Sequence, residues 1–194
     1  MDFVTDLYNY YPESLSDFWK GAVIAVMILT GAAVWRMYCV KLASKGQAIA
    51  LTLLITYLFS VYATTVFSRP VHADYSYELL PFWSYRAIRG GEKSLIKENF
   101  YNVLMLMPVG LLLPAGGVFE FTMKCRHKRS ALSAGYEKKN AFYTILAGFL
   151  VSLSIELMQL IFKRGLFEFD DMLHNTIGTA IGYGIYLGIR CLWY

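Results

Sequence analysis

The sequence is short of charge, of cysteine and of the motifs that mark nucleotide, metal or nucleic-acid proteins. Only 16% of its 194 residues are charged, whereas an ordinary soluble domain carries about a quarter. Its three cysteines, Cys39, Cys125 and Cys191, include no CxxC pair, which speaks against a disulfide scaffold and a zinc site. His72, His127 and His174 stand in unrelated contexts and no nucleophile elbow surrounds Ser154, so a serine–histidine hydrolase has no support. A glycine-rich phosphate loop is missing too. The N-terminus is acidic (Asp2, Asp6, Glu13, Asp17) where a secretory signal is basic, and no A-x-A-like site follows the first apolar run. The first helix is therefore expected to stay in the mature protein. The net charge of +4 comes from Lys and Arg in discrete loops, a pattern of topology and lipid contact, and no nucleic-acid partner is expected.

What is present is apolar sequence. Hydrophobic residues make up 57% of the chain and the mean hydropathy is +0.43, values of an integral membrane protein. The expected fold is all-α: a polytopic membrane protein with five transmembrane helices in one bundle, residues 1–194 forming a single membrane domain. The spans are expected at about 18–38, 48–67, 99–119, 140–162 and 172–189. Trp19 and the Trp35/Tyr38 pair mark the headgroup levels of the first span. Pro70 stops the second, Pro108 is expected to kink the third, and the fifth offers Gly178-x-x-x-Gly182 and Gly184-x-x-x-Gly188 for close helix contact. Between them lie a long aromatic loop at 69–98, whose ELLPFWSYR stretch reads as interfacial or re-entrant, and a basic loop at 120–139.

Basic residues are nearly balanced between the two sides, so their density in short loops decides orientation. Arg36, Lys41 and Lys45 crowd the loop after the first span, and Lys124, Arg126, Lys128 and Arg129 the loop after the third. That places the N-terminus outside, the C-terminus inside and the cysteines near the inner, reducing face. The same basic run suits anionic membrane lipids.

With this topology, intramembrane polar residues converge at the outer end. Ser152, Glu156, Gln159 and Lys163 share one helical face, and Asp171, Asn175, Gly178 and Gly182 repeat the spacing on the next segment. Arg69 closes the second span and Asn102 opens the third beside them. A charged Glu156 in lipid costs roughly 2.5–3.5 kcal/mol at the bilayer centre, so it is expected to face the bundle interior, with Arg69, Lys163 and Arg164 as partners. A purely structural hydrogen-bond network through Glu156, Gln159, Asn102 and Asn175 accounts for the same pattern. Glu168, Asp170, Asp171 and His174 could be taken for a hard-metal cluster, but an acidic first turn also simply favours a helix N-terminus, and that reading is preferred. No metal or cofactor is expected.

Three ordered pieces, Asn102…Pro108-Val-Gly110, Ser154-Ile-Glu156-Leu-Met-Gln159 and Asp171-x-x-x-Asn175-x-x-Gly178, resemble the VanZ family. The weaker Phe67-Ser-Arg69 and Leu79-Leu-Pro81-Phe82 extend the likeness over about residues 50–190. Glu78 stands where the family commonly has Asn, Glu168 where it has Asp, and His174 where it has an aliphatic residue, which counts against His174 as a shared functional group. The resemblance implies a small bacterial plasma-membrane protein that lowers susceptibility to teicoplanin-type lipoglycopeptides, without specifying a reaction. Binding of the drug or of a lipid-linked wall precursor is the first expectation, with Arg69, Asn102, Glu156, Gln159, Arg164, Glu168, Asp171 and Asn175 as the binding residues. The alternative is a membrane enzyme modifying a lipid or wall headgroup, with Glu156 and Asp171 as acid and base. A transporter ranks last, since no inverted repeat is evident.

Overall fold

Apolar runs long enough to span a bilayer dictate the helices, and the breaks between them carry proline, glycine or capping residues. The structure, a computed structural model, describes residues 17–119 and 132–192, with side chains at 17–119 and 139–192. Helix α1 (Asp17–Cys39) turns into α2 (Lys45–Tyr62) at Ser44. There the Ser44 hydroxyl accepts the Gln47 N–H at 3.3 Å while the Gln47 side chain accepts the Ser44 N–H at 2.9 Å, a capping box. Helix α2 runs on into a π-turn at Ala63–Phe67. Then come strand β1 (Ser76–Glu78), the short helix α3 (Trp83–Arg89), α4 (Ser94–Ala115), α5 (Leu132–Ile161), strand β2 (Leu166–Glu168) and α6 (Phe169–Leu192).

Three helices, Asp17–Cys39, Lys45–Phe67 and Lys139–Ile161, are long and apolar enough to cross a membrane, as befits a helical membrane protein. Helices α4 and α6 are not among these three. Asn99, Asn102, Pro108 and Pro114 in one and His174, Asn175 and four glycines in the other dilute their apolar character. Both correspond to expected spans, with shifted ends. The third segment is helical from Ser94 and stops at Ala115, where Gly116 and the left-handed Gly117 (φ 68°) terminate it. The fourth begins at Leu132, inside the expected basic loop; Lys124, Cys125, Arg126, Lys128 and Arg129 of that loop lie outside the described residues.

The expectation of an all-α chain needs one correction. Strands β1 and β2 pair in parallel, Ser76 opposite Leu166 and Glu78 opposite Glu168. Both are connecting segments at the same end of the bundle, and their peptide groups have no helical partners, so they satisfy one another.

Packing brings α4 and α6 together most closely. A Cβ on Gly178 or Gly182 of α6 would collide with the Val103 or Met107 carbonyl of α4, and one on Gly110 of α4 with the Thr179 carbonyl. Small residues thus let the two backbones touch, the usual basis of helix association in lipid. The second pair, Gly184 and Gly188, has nothing within 4 Å. Leu54, Leu106, Val109 and Leu113 form the buried cluster between α2 and α4, and Val61, Val66 and Ile155 another nearer the strands. Outward faces stay apolar: Ile28, Leu29 and Leu150 are exposed, as lipid-facing side chains must be. Helix α1 buries only Val34 and joins the rest through α2 and a ring stack of Trp19 on Phe67 at 5.5 Å.

Candidate functional site

The site lies where α5 gives way to β2 and α6, and the polar stripe of α5 supplies its first wall. Glu156 is 2% exposed and Gln159 4%, although both sit on a helix whose other faces are apolar. Leaving lipid, they turn inward and find backbone partners. Gln159 Nε2 donates to the Thr65 carbonyl at 3.0 Å, within the π-turn that ends α2. Glu156 Oε2 accepts the Glu168 N–H at 3.1 Å. The tie between helix and hairpin is therefore a carboxylate holding a strand amide.

Glu168 is buried in turn, and its Oε2 accepts the Trp83 indole N–H at 2.9 Å. Its pKa rises from the ordinary 4.5 to about 8, first because burial strips water from the carboxylate, then because Asp171 and Glu98 bring like charge. The Trp83 bond opposes the rise without cancelling it. Asp171, in the first turn of α6, shares this acidic cleft with Glu156. Arg69 is the cation whose charge both of them feel. No ion pair within 4 Å joins it to Glu156, Glu168 or Asp171; it is exposed, with Nη1 close to Gly165, which the Gln159 amide also approaches.

The neighbouring basic side chains are occupied elsewhere. Arg164 Nη1 donates to the Phe67 and Arg69 carbonyls, the latter at 2.9 Å. Lys163 Nζ donates to the Ala73 carbonyl at 2.8 Å and covers the Tyr75 ring, while its own carbonyl accepts the His72 N–H. These bonds hold Lys163 in a left-handed conformation (φ 54°) that a non-glycine residue adopts only under such constraint. Lys163 and Arg164 thus act as staples between the hairpin and loop 67–73, and the expected pairing of Glu156 with either of them is replaced by backbone contacts.

Of the expected binding residues, Arg69, Glu156, Gln159, Arg164, Glu168 and Asp171 gather at this end. Asn175 lies one turn below Asp171, fully buried, its Nδ2 donating to Ser152 Oγ at 2.9 Å, with Oδ1 left without a partner among the described residues. Asn102, on α4, makes no hydrogen bond to any of the others, and its Nδ2 has no partner among the described residues. His174 turns to α3: Nε2 meets the Tyr85 hydroxyl at 2.7 Å and the rings stack. Among the described residues no three His, Cys, Asp or Glu side chains converge closely enough to ligate a metal ion. Polar residues also continue along α5 beyond the cleft, with Thr144 fully buried and its hydroxyl unpartnered among the described residues.

Sequence reasoning missed the role of Asp170. It is 2% exposed and accepts three hydrogen bonds from 86 to 88 residues away: Phe82 N–H at 2.6 Å, Ser84 N–H at 2.9 Å and Ser84 Oγ–H at 2.6 Å. Asn99 adds a bond to Ser84 Oγ at 3.3 Å. Asp170 thereby caps α3 from another element, holds Phe82 in a left-handed conformation (φ 61°), and sets Trp83 over Glu168. An acidic first turn was visible in the sequence, but its distant partner was not.

Fold and site together define a helical membrane protein with a cluster of buried carboxyl groups at one end of its bundle, beside an exposed arginine and tied to an aromatic segment through Trp83. The family model VanZ/LLP1 matches residues 48–192, and the chain belongs to the VanZ family. Helix α1 lies outside the match. No curated protein and no solved structure matches the chain.

Proposed function

We propose that this chain is a multi-pass protein of the bacterial plasma membrane, that α1, α2, α4, α5 and α6 all cross it, and that the hairpin end faces outward. In this reading it lowers susceptibility to teicoplanin-type lipoglycopeptides by binding the drug or a lipid-linked wall component in the acidic cleft. The observation that carries the reading is the gathering of Arg69, Glu156, Gln159, Glu168 and Asp171 at one end of the bundle under the Phe82–Trp83–Tyr85 loop. Polar side chains buried so deep in an apolar protein are costly unless a function retains them. A mixed-charge cleft beside exposed aromatics suits an amphiphile with a polar head.

The second reading is a membrane enzyme acting on a lipid or wall headgroup, favoured by the closeness of Glu156 and Asp171 in one dehydrated cleft. Thermal unfolding of the purified protein with teicoplanin, vancomycin, a lipid-linked precursor and polyprenyl phosphate tests both. A ligand at a hundred times its Kd adds about 2.7 kcal/mol of stability, an easily read shift. Glu156→Gln keeps shape and an acceptor oxygen, so binding is weakened but not lost while any turnover collapses. Unchanged resistance and unchanged shifts in both Glu156→Gln and Asp171→Asn would sink the shared site.

A further inference from the structure

The carboxyl groups of Glu156, Glu168 and Asp171 feel one another's charge at this end of the bundle, and no basic side chain forms an ion pair with them among the described residues. Glu156, Glu168 and Asp171 are acceptors when ionised, and Glu98 and Asp170 add charge of the same sign. Asn175, 0% exposed, spends its Nδ2 on Ser152 and leaves Oδ1 without a partner among the described residues. Helical side chains lean toward their helix N-terminus, so this amide leans toward the turn of Asp171, into the cleft. Two donors reach Glu156 and Glu168, the Glu168 N–H and the Trp83 indole, while Asp170 takes three from Phe82 and Ser84. Gln159, Lys163 and Arg164 give their hydrogen bonds to backbone carbonyls. Arg69 remains at the rim, exposed and without a carboxylate from the cleft within 4 Å.

A second feature adjoins the first. An apolar groove of about 360 Å³, lined by Ile88, Ile96, Phe100 and Val103 with Tyr85 and His174, runs between α3 and α4. Its wall residue Asn99 donates to the Ser84 hydroxyl that in turn donates to Asp170. Helix α4 thus offers Glu98 to the acids and Asn99 and Val103 to the groove.

We infer that the cleft and groove together receive one phospholipid bearing a primary amine. Its ammonium enters among Glu156, Asp171 and the free Asn175 oxygen, its phosphate meets Arg69 at the rim, and an acyl chain lies in the groove. An ammonium supplies three donors and the missing positive charge at once; a neutral hydroxyl supplies no charge. The guanidinium of Arg69 matches phosphate in charge and geometry. The inference rests on the cleft being a binding site for amphiphiles, and it adds which headgroup is recognised.

The test uses the full-length protein in detergent, titrated with four probes and followed by thermal shift and native mass spectrometry. Phosphatidylethanolamine carries both charges, N-acetyl-phosphatidylethanolamine and phosphatidic acid lack the ammonium, and soluble phosphoethanolamine lacks the chains. Phosphatidylethanolamine should bind roughly tenfold or more tightly than the other three, as expected for a lost charge-assisted bond or lost apolar burial. Asp171→Asn and Glu156→Gln should erase its advantage over phosphatidic acid, and Arg69→Gln should weaken both lipids alike. Equal binding of the N-acetylated lipid, or an advantage that survives Asp171→Asn and Glu156→Gln in folded protein, overturns the ammonium site. Soluble phosphoethanolamine binding as tightly as the lipid overturns the groove. If teicoplanin or the lipid-linked precursor binds through Glu156 while the amine makes no difference, the inference fails and the functional reading stands. If the amine contrast appears and neither of those ligands binds, the inference stands and that reading fails.

Discussion

Asp170→Asn is the sharpest test of how the aromatic loop is held over the cleft. The buried carboxylate accepts from Phe82 N–H, Ser84 N–H and Ser84 Oγ–H, all at 2.9 Å or less. An asparagine of the same shape keeps one acceptor oxygen and turns an NH2 toward a donor. At least one charge-assisted bond, about 1.5–3 kcal/mol, is lost, and a buried donor is left unmet at about 1–3 kcal/mol. Part of that is recovered because Phe82 is itself exposed, so a net cost of about 2–4 kcal/mol is expected, falling on α3 rather than on the bundle. Amide hydrogen exchange over residues 80–90 in detergent should then rise by roughly 30- to 1000-fold, with α4 and α6 little changed. Ser84→Ala, which removes one of the three bonds, should show a smaller rise at the same peptides. Unaltered exchange over 80–90 would refute the latch. A uniform rise across the chain would show that Asp170 supports the bundle instead.

Two further outcomes follow from the packing and from the acidic cleft. Gly178→Ala should destabilise the fold by on the order of 1–3 kcal/mol or more, the cost of forcing packed helices apart, and so lower the unfolding temperature sharply. Gly184→Ala, with open space around it, should leave that temperature nearly unchanged; equal effects of the two would disprove the close α4–α6 approach. Glu168 sets a pH dependence: its folded pKa of about 8 lies above its ordinary 4.5, so folding binds a proton between those values. The contribution is harmless below about 4.5 and costs stability as pH rises toward about 8. Glu168→Gln should therefore shrink the fall in unfolding temperature between pH 5 and pH 8; a fall of unchanged or greater size would contradict the assignment.

Ser152, Glu156 and Gln159 on one helical face, and Asp171 with Asn175 on the next, were legible because helix periodicity is a local property of the chain. A polar stripe in an apolar segment has to point inward wherever the helix sits. The VanZ likeness was legible for the same reason, since its pieces are short and in order. Which groups those stripes meet was not. Lys163 and Arg164 looked like partners for Glu156, yet they reach the carbonyls of Phe67, Arg69 and Ala73, because the π-turn and the β1–β2 pairing bring loop 67–78 against the hairpin. Asp170 looked like a helix N-terminal charge and proved to be the cap of a helix 86 residues away. Of two glycine pairs with identical spacing, only Gly178 and Gly182 lie against another backbone. Local sequence by itself determined membrane helices, their apolar faces and the candidate acids. Only the tertiary structure decided what those acids touch, because every such contact joins segments whose separation in sequence leaves no periodic trace.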